Sequence, residues 1–387
     1  MKISDYIPLK ESISFRLAPT PVNIVLALIT AGLIFFYLYG VMHFFEHGHH
    51  AYNVTRTHPW GFLVAAYEFF VAIAMGSIVV AASGIFFDIH VISPLIKRLL
   101  MFGLLSLFAG FTAFLFEIGH PITMVIYTAL SGNVTSALFW LGVFYPSFML
   151  FTILTFISYS KNVGPTKIFA LFAIIFANSS VLTAGSIFGL LNARDFSSGV
   201  FYPIEFMATA ILGGIFLLTL ITVMFRRDDF LQAVLALKKV SIAILSLLLI
   251  MYIIKYLTGI YGDVPAKAQA VNYIFTSANF LIFELGLGII FPLFVAVFGS
   301  TQKIGLFALA SFFGLVGIMF SRIDLVNGVE VVPLQTMATR VYQEMPTLIT
   351  DYIPSMTELA IGLGAVGVFI FFMYLAENIF DLDTQAQ

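Results

Sequence analysis

Ten apolar runs recur along this chain, at 22–44, 60–87, 99–118, 134–158, 166–190, 201–225, 240–260, 271–298, 303–320 and 354–380. Each is long enough to cross the ~30 Å hydrocarbon core of a bilayer as a helix. Few folds are open to such a chain. In lipid every backbone N–H and C=O must be satisfied within the protein, so each run is predicted to be a helix. The expected fold is all-α, a polytopic membrane protein of about ten transmembrane helices in one integral membrane domain, 1–387. Composition agrees: 60% of the 387 residues are hydrophobic, 10% are charged, and the mean hydropathy is +1.04. Breaks fall at turn chemistry such as Ser93-Pro94, Gly119-His120-Pro121, Gly164-Pro165 and Ile353-Pro354. Met1 to Thr20 has no apolar core, so no cleaved signal peptide is expected.

The residue types present exclude several chemistries. Cysteine is absent, which removes disulfides, Cys-ligated iron–sulfur clusters and thiol catalysis from this chain. The net charge is -2 and no long basic run points to nucleic acid. Haem held by two imidazoles needs histidines facing each other inside packed helices, and no His lies in the central part of a predicted span. His43, His47, His49 and His50 cluster at the end of the first span, where they read as hydrated surface rather than a metal site. An edge haem through His43 or His120 is the one such arrangement left open.

Counting Lys and Arg gives the orientation. Twelve fall on the side of the N-terminus and six (Arg56, Arg194, Lys255, Lys267, Arg322 and Arg340) on the other. By the positive-inside rule both termini are expected in the cytoplasm. The long segment from Ser321 to Ile353 then faces outward, where it suits docking of an outer-side partner.

Ionisable residues inside the spans are costly and normally face a bundle interior. Most lie in the outer half. Pro59 and Trp60 mark an interfacial start to the second span, and Glu68 lies eight residues further in, roughly 12 Å at ~1.5 Å per residue. Glu117 ends the third span; Arg194 and Asp195 follow the fifth; Glu205 lies one turn into the sixth. Arg322 and Asp324 close the ninth and Glu358 opens the tenth, while Glu284 is near mid-membrane. Together they predict a polar chamber open to the outer half. Asp195, Glu205 and Glu358 equally suit plain helix-dipole partners, and Lys255 suits an outward-snorkelling side chain. Glu68, Glu117 and Glu284 have no such alternative and are the expected proton carriers. Asn178 with Glu284 extends a hydrogen-bonded path inward on this reading.

Several motifs in order carry a resemblance: Pro59-Trp60-Gly61 ahead of an acid-bearing span, Glu117-Ile-Gly-His-Pro121, Ser179-Ser180 to Gly185-Ser186, Arg194 before the sixth span, and Pro354-Ser-Met-Thr-Glu358. The chain resembles the NrfD/PsrC-like family of quinone-interacting membrane subunits, most of all its ten-helix hydrogenase-2 branch. That resemblance implies two four-helix bundles, spans 2 to 5 and 6 to 9, with flanking helices. It also implies a prokaryotic cytoplasmic membrane subunit that binds quinone (menaquinone or another type) and carries no haem or iron–sulfur cluster. Its electrons would pass between quinone and a ferredoxin-like iron–sulfur subunit on the outer side. A catalytic subunit follows: a molybdopterin reductase, a hydrogenase or a multihaem cytochrome. Many relatives have Asp-x-Gly-Arg-Pro where this chain has Glu117 and His120, so a titratable group replaces a permanent cation. On this reading Trp60, His120, Arg194 and Tyr202 meet the quinone, Glu68, Glu117 and Glu284 move protons, and His58, Asp195, Glu205, Arg322, Asp324 and Glu358 support them. A secondary transporter or ion-translocating subunit using Glu68, Lys255 and Glu284 is the alternative; against it, no paired Gly/Pro-broken helices appear in corresponding halves.

Overall fold

In a computed structural model, residues 8–10, 21–224, 231–299, 304–333 and 352–383 are described. Among them, ten helices are long and apolar enough to cross a membrane. In chain order the helices are α1 (Pro21–His47), α2 (Phe62–Phe86), α3 (Ile96–Glu117), α4 (Pro121–Ser131), α5 (Ala137–Lys161), α6 (Thr166–Gly189), α7 (Phe201–Met224), α8 (Leu231–Ile260), α9 (Pro265–Phe275), α10 (Asn279–Phe298), α11 (Ile304–Glu330) and α12 (Met356–Ile379). The protein is an all-α polytopic membrane protein.

Helices α2, α3, α5 and α6 close one four-helix bundle, and α7, α8, α10 and α11 close a second. The bundles meet chiefly along α2 and α7. Small residues allow that meeting: a Cβ on Gly76 would fall 1.7 Å from the carbonyl oxygen of Ala210, and one on Gly214 would fall 2.5 Å from the carbonyl carbon of Gly76. Without side chains at these two positions the backbones approach closely, which is how membrane helices gain packing when lipid offers no hydrophobic drive. α12 lies against α3 and α2, and α1 rests on α12.

Two faces terminate the bundle. On one, the Arg98 face, buried Arg98 joins Glu377 at 2.6 Å and Asp383 at 2.5 Å. Lys10 donates to the Glu377 carbonyl at 2.6 Å, and Leu9 forms a single antiparallel bridge with Phe380. The opposite, Trp60 face collects the C-terminal end of α3 and the N-terminal ends of α2 and α12.

Several expected boundaries shift. The run predicted at 271–298 is broken after Phe275, leaving short α9, and the first part of α10, Asn279–Ile290, is a wide π-helix. The predicted loop between 119 and 133 contains α4. α11 continues past 320 to Glu330, so Arg322 and Asp324 are helical and face the interior rather than closing the span. Much of the segment assigned to partner docking, residues 334–351, lies outside the described residues, as do Lys2, Arg16, Arg226, Arg227, Lys303 and Arg340 of the charge count.

Candidate functional site

Pro59 does not open α2. The helix starts at Phe62, because Gly61 is extended (φ -109°, ψ -170°) and the amides around it are directed to acids. The Trp60 N–H points at both carboxylate oxygens of Glu330, 3.2 Å from each. The next amide, Gly61 N–H, donates to Glu117 Oε1 at 3.2 Å. Phe62 N–H donates to the Tyr352 hydroxyl at 2.7 Å, and that hydroxyl donates to Glu358 Oε1. Glu358 also accepts from Asn53 N–H at 3.0 Å and Ser355 N–H at 2.9 Å, completing a capping box on α12. Three successive amides at the head of α2 thus receive groups from α11, α3 and the start of α12. Helix N-termini favour negative charge because their first amides have no partner in the helix. The site exploits that fully, and Gly61 is required: a Cβ there would fall 2.3 Å from Glu358 Oε1.

His58 is buried in this junction, with Nε2 3.3 Å from Glu330 and its ring stacked on Tyr352 at 4.7 Å. Burial, and after it the positive charge of Arg194, push the imidazole down to about 4. It is therefore neutral near pH 7. Arg194 itself donates to the Val332 carbonyl at 3.0 Å. Trp60 packs edge-on against Phe188.

Below the junction, inside the first bundle, Tyr67 donates to the Tyr145 hydroxyl at 2.7 Å. Phe114 stacks on Tyr67 and Phe111 lies against both tyrosines, so the rings line the junction of α2, α3 and α5, an aromatic slot by its walls rather than by open space. Glu68 follows Tyr67, is buried, and has an oxygen, Oε2, with no hydrogen-bond partner. Glu117 Oε2 is likewise unpartnered.

A second cluster sits apart from the first, in the α7–α8–α10–α11 bundle. Arg322 Nη1 meets Glu205 at 2.6 Å, Nη2 meets Thr209 Oγ1 at 2.5 Å, and the guanidinium lies 3.8 Å from the Phe206 ring centre. Both members of the pair are fully buried, so Glu205 is a structural counter-ion rather than a first-turn dipole partner. Lys255 does not snorkel outward. Its Nζ is held 3.6 Å from the ring of Tyr202, 4.1 Å from that of Phe196 and 4.2 Å from that of Phe201, with no hydrogen-bond partner. Three π faces replace water around the ammonium. Lys255, Glu284 and Asp324 line a cavity of about 10 Å³, and a neighbouring one of about 20 Å³ shares Glu284, Tyr252 and Ser321. Each has space on the scale of a single water.

The expected single polar chamber is thus two clusters. His58, Trp60, Glu117 and Glu358 meet at the head of α2, with Arg194 close by. Tyr202, Glu205, Glu284, Arg322 and Asp324 meet in the second bundle. Glu68 stands between them. His120 is exposed at the start of α4, and Asp195 is half-buried in the loop after α6. Asn178 donates to its own helix at Ile174 rather than toward Glu284. Sequence reasoning missed Glu330 and Tyr352. Glu330 had a signal: Ile318, Leu325, Val326 and Val329 continue a helical apolar spacing up to Pro333. The described residues contain no group of His, Asp and Glu able to hold a metal ion.

Known proteins share this sequence pattern. One component of the selenate reductase of Mesobacillus selenatarsenatis is 23% identical over 365 residues, covering 82% of this chain and 84% of that protein. The profile of the family described as polysulphide reductase, NrfD matches residues 49–333, a range that runs from the approach to α2 through the end of α11. It contains both four-helix bundles and every residue of the α2 junction except Tyr352, Ser355 and Glu358, and on that match the chain belongs to the NrfD family of membrane proteins.

Proposed function

We propose that this chain is the quinone-interacting membrane subunit of a respiratory oxidoreductase complex, with its exchange site in the first bundle between the head of α2 and the Tyr67–Tyr145 slot. The observation that carries the reading is the placement of half-buried Glu117 and buried Glu68, each with an unpartnered oxygen, on the helices that carry the aromatic residues Tyr67, Phe111 and Phe114. A quinone needs an apolar site for its ring, hydrogen-bond donors for its oxygens and groups that take up or release protons; these residues supply all three. When bound, it supplies two electrons and two protons on oxidation of its quinol form.

Within that reading, Tyr145, which accepts from Tyr67, offers its own O–H to a ring oxygen, and Trp60 with Phe188 closes the slot toward the Trp60 face. Glu68 accepts a proton inside the bundle, and Glu117 relays it toward the surface. Arg194 and neutral His58 hold the charge balance of the junction while Glu330 and Glu358 fix the head of α2. His120 guards the outlet rather than touching the ring, and Tyr202 belongs with Lys255. Glu284, Asp324 and Lys255 form a proton-handling cluster of the second bundle, with the flanking cavities holding water between them. The excess of Lys and Arg on the Arg98 face supports cytoplasmic termini and an iron–sulfur subunit docked on the Trp60 face. A catalytic reductase subunit beyond it completes the complex, by analogy with the selenate reductase that contains the similar protein.

Glu68→Gln keeps shape and burial but cannot ionise. In the reconstituted complex it is expected to lower quinol-driven turnover by about 10²-fold, the usual size of a lost general base. Electron transfer from an artificial donor to the partner subunits stays at the original rate. Full quinol-driven turnover in Glu68→Gln and Glu117→Gln would remove the proton roles.

A further inference from the structure

α4 is an apolar helix without a place in either bundle. None of its residues is buried, and Ile122 and Leu130 are 75% and 76% exposed. Its packing partner is α5, which it touches where Thr128 meets Gly142. From Pro121 to Ser160 the chain has no Asp, Glu, Lys, Arg or His, a 40-residue uncharged stretch that begins in α4. Such a surface is poorly suited to water or to a charged protein partner, and well suited to lipid.

Its level in the membrane follows from tryptophan. The chain has two, Trp60 just ahead of α2 and Trp140 in the first turn of α5, both on the Trp60 face. Tryptophan favours the bilayer boundary, and Trp140 Nε1 is anchored to the Val134 carbonyl at 2.8 Å in the link between α4 and α5. α4 therefore spans, at boundary depth, the gap between the ends of α3 and α5. Those two helices touch only sparingly, and Phe111 of α3, which meets Tyr145 of α5, is only half-buried, as is Phe114 one turn further along α3. Behind them lies the Tyr67–Tyr145 slot.

We propose that α4 lies in the lipid boundary as the lintel of a lateral opening between α3 and α5, through which an isoprenoid quinone passes from the bilayer to the aromatic slot. This rests on the quinone reading above. The tail, which is purely hydrocarbon, stays under the lintel among lipid chains while the ring advances between Phe111 and Tyr145. Movement of α4 away from α5 widens the opening.

The absence of native cysteine makes a clean test. Thr128→Cys with Gly142→Cys places two thiols at the α4–α5 contact, where a Cβ on residue 142 falls 3.4 Å from the Thr128 methyl. In the complex reconstituted in liposomes, the oxidised lock is expected to slow turnover of an isoprenoid quinol by about tenfold or more, as a blocked gating step does. A tail-less quinol keeps its rate, reduction of the disulfide restores the first rate, and each single Cys variant behaves as the parent. Equal rates with both quinols, whether both unchanged or both slowed, overturn the opening. No quinol turnover of either kind in the reduced, unlocked complex removes the quinone reading itself, and the opening with it. A second readout is independent of activity: a fluorophore on Val125→Cys is expected to be quenched by headgroup-nitroxide lipid. Quenching only by a water-soluble nitroxide overturns the boundary placement of α4.

Discussion

At the head of α2 the carboxylates are held by backbone amides, whereas in the second bundle the charged side chains hold one another. Glu117 and Glu330 receive N–H groups of Gly61 and Trp60, so each can gain or lose a proton without leaving a cation stranded. Glu205 faces the full charge of Arg322 at 2.6 Å, and both are buried. The first arrangement tolerates titration; the second fixes charge. A backbone amide stays neutral whatever its partner does, while a buried guanidinium loses heavily when its partner is neutralised. The protein has placed its adjustable acids at the head of α2 and its rigid pair inside the second bundle, between α7 and α11.

The largest effect that tests this contrast is on the rigid side. Arg322→Met leaves Glu205 buried without its counter-ion, an expected loss of about 3–5 kcal/mol, visible as a drop in the thermal unfolding midpoint in detergent. Arg322→Met with Glu205→Leu removes both charges and is expected to recover most of that stability. If the single variant unfolds like the parent, the pair is not what fixes α7 against α11.

Next is Gly61→Ala. Its methyl meets Glu358 Oε1, displacing the acid from Tyr352 and Asn53, with an expected loss of about 1–3 kcal/mol typical of overpacking. Glu117→Gln is milder. The Gln carbonyl still accepts from Gly61 N–H, so the expected loss is about 1 kcal/mol or less, while quinol-driven turnover falls with the lost proton site. An Arg322-sized loss of stability in Glu117→Gln would erase the distinction between the two regions.

Near neutral pH the smallest effect is at His58, because it develops only on acidification. His58 is held near 4 against an ordinary value of 6.5, so between these pH values the unfolded chain binds a proton that the folded chain refuses. Stability conferred by neutral His58 is complete above pH 6.5 and declines as pH falls toward 4. His58→Phe retains a ring over Tyr352, and its unfolding midpoint is expected to vary less across that window, by at most one proton's worth of slope.

Sequence patterning revealed the helical class and ten spans because hydrocarbon-length runs have one solution in lipid. It also located Glu68 and Glu284, which are buried, and Glu117, which is half-buried at the end of α3. It could not show which bundle each acid faced, since apolar residues surround every span and leave little amphipathic signature to orient it. α4 escaped because an apolar helix of 11 residues is too short to cross a membrane and was absorbed into a connection. Lys255 was misplaced because a lysine five residues from a helix end ordinarily reaches water; only the folded chain brings Phe196, Phe201 and Tyr202 around it. Glu330 was hidden by Val331-Val332-Pro333, which reads as the start of an extended segment.

The π-helical stretch Asn279–Ile290 has a consequence for how this chain can vary in length. Such wide turns hold more residues per turn than an α-helix, so the stretch carries extra residues between its ends. Glu284 lies within it. Removing a single residue between Asn279 and Phe283 would shift the register of the stretch and turn Glu284 relative to Asp324 while leaving the span long enough to cross. Spacing, as much as residue identity, is therefore what a descendant of this sequence must inherit to keep that acid facing inward.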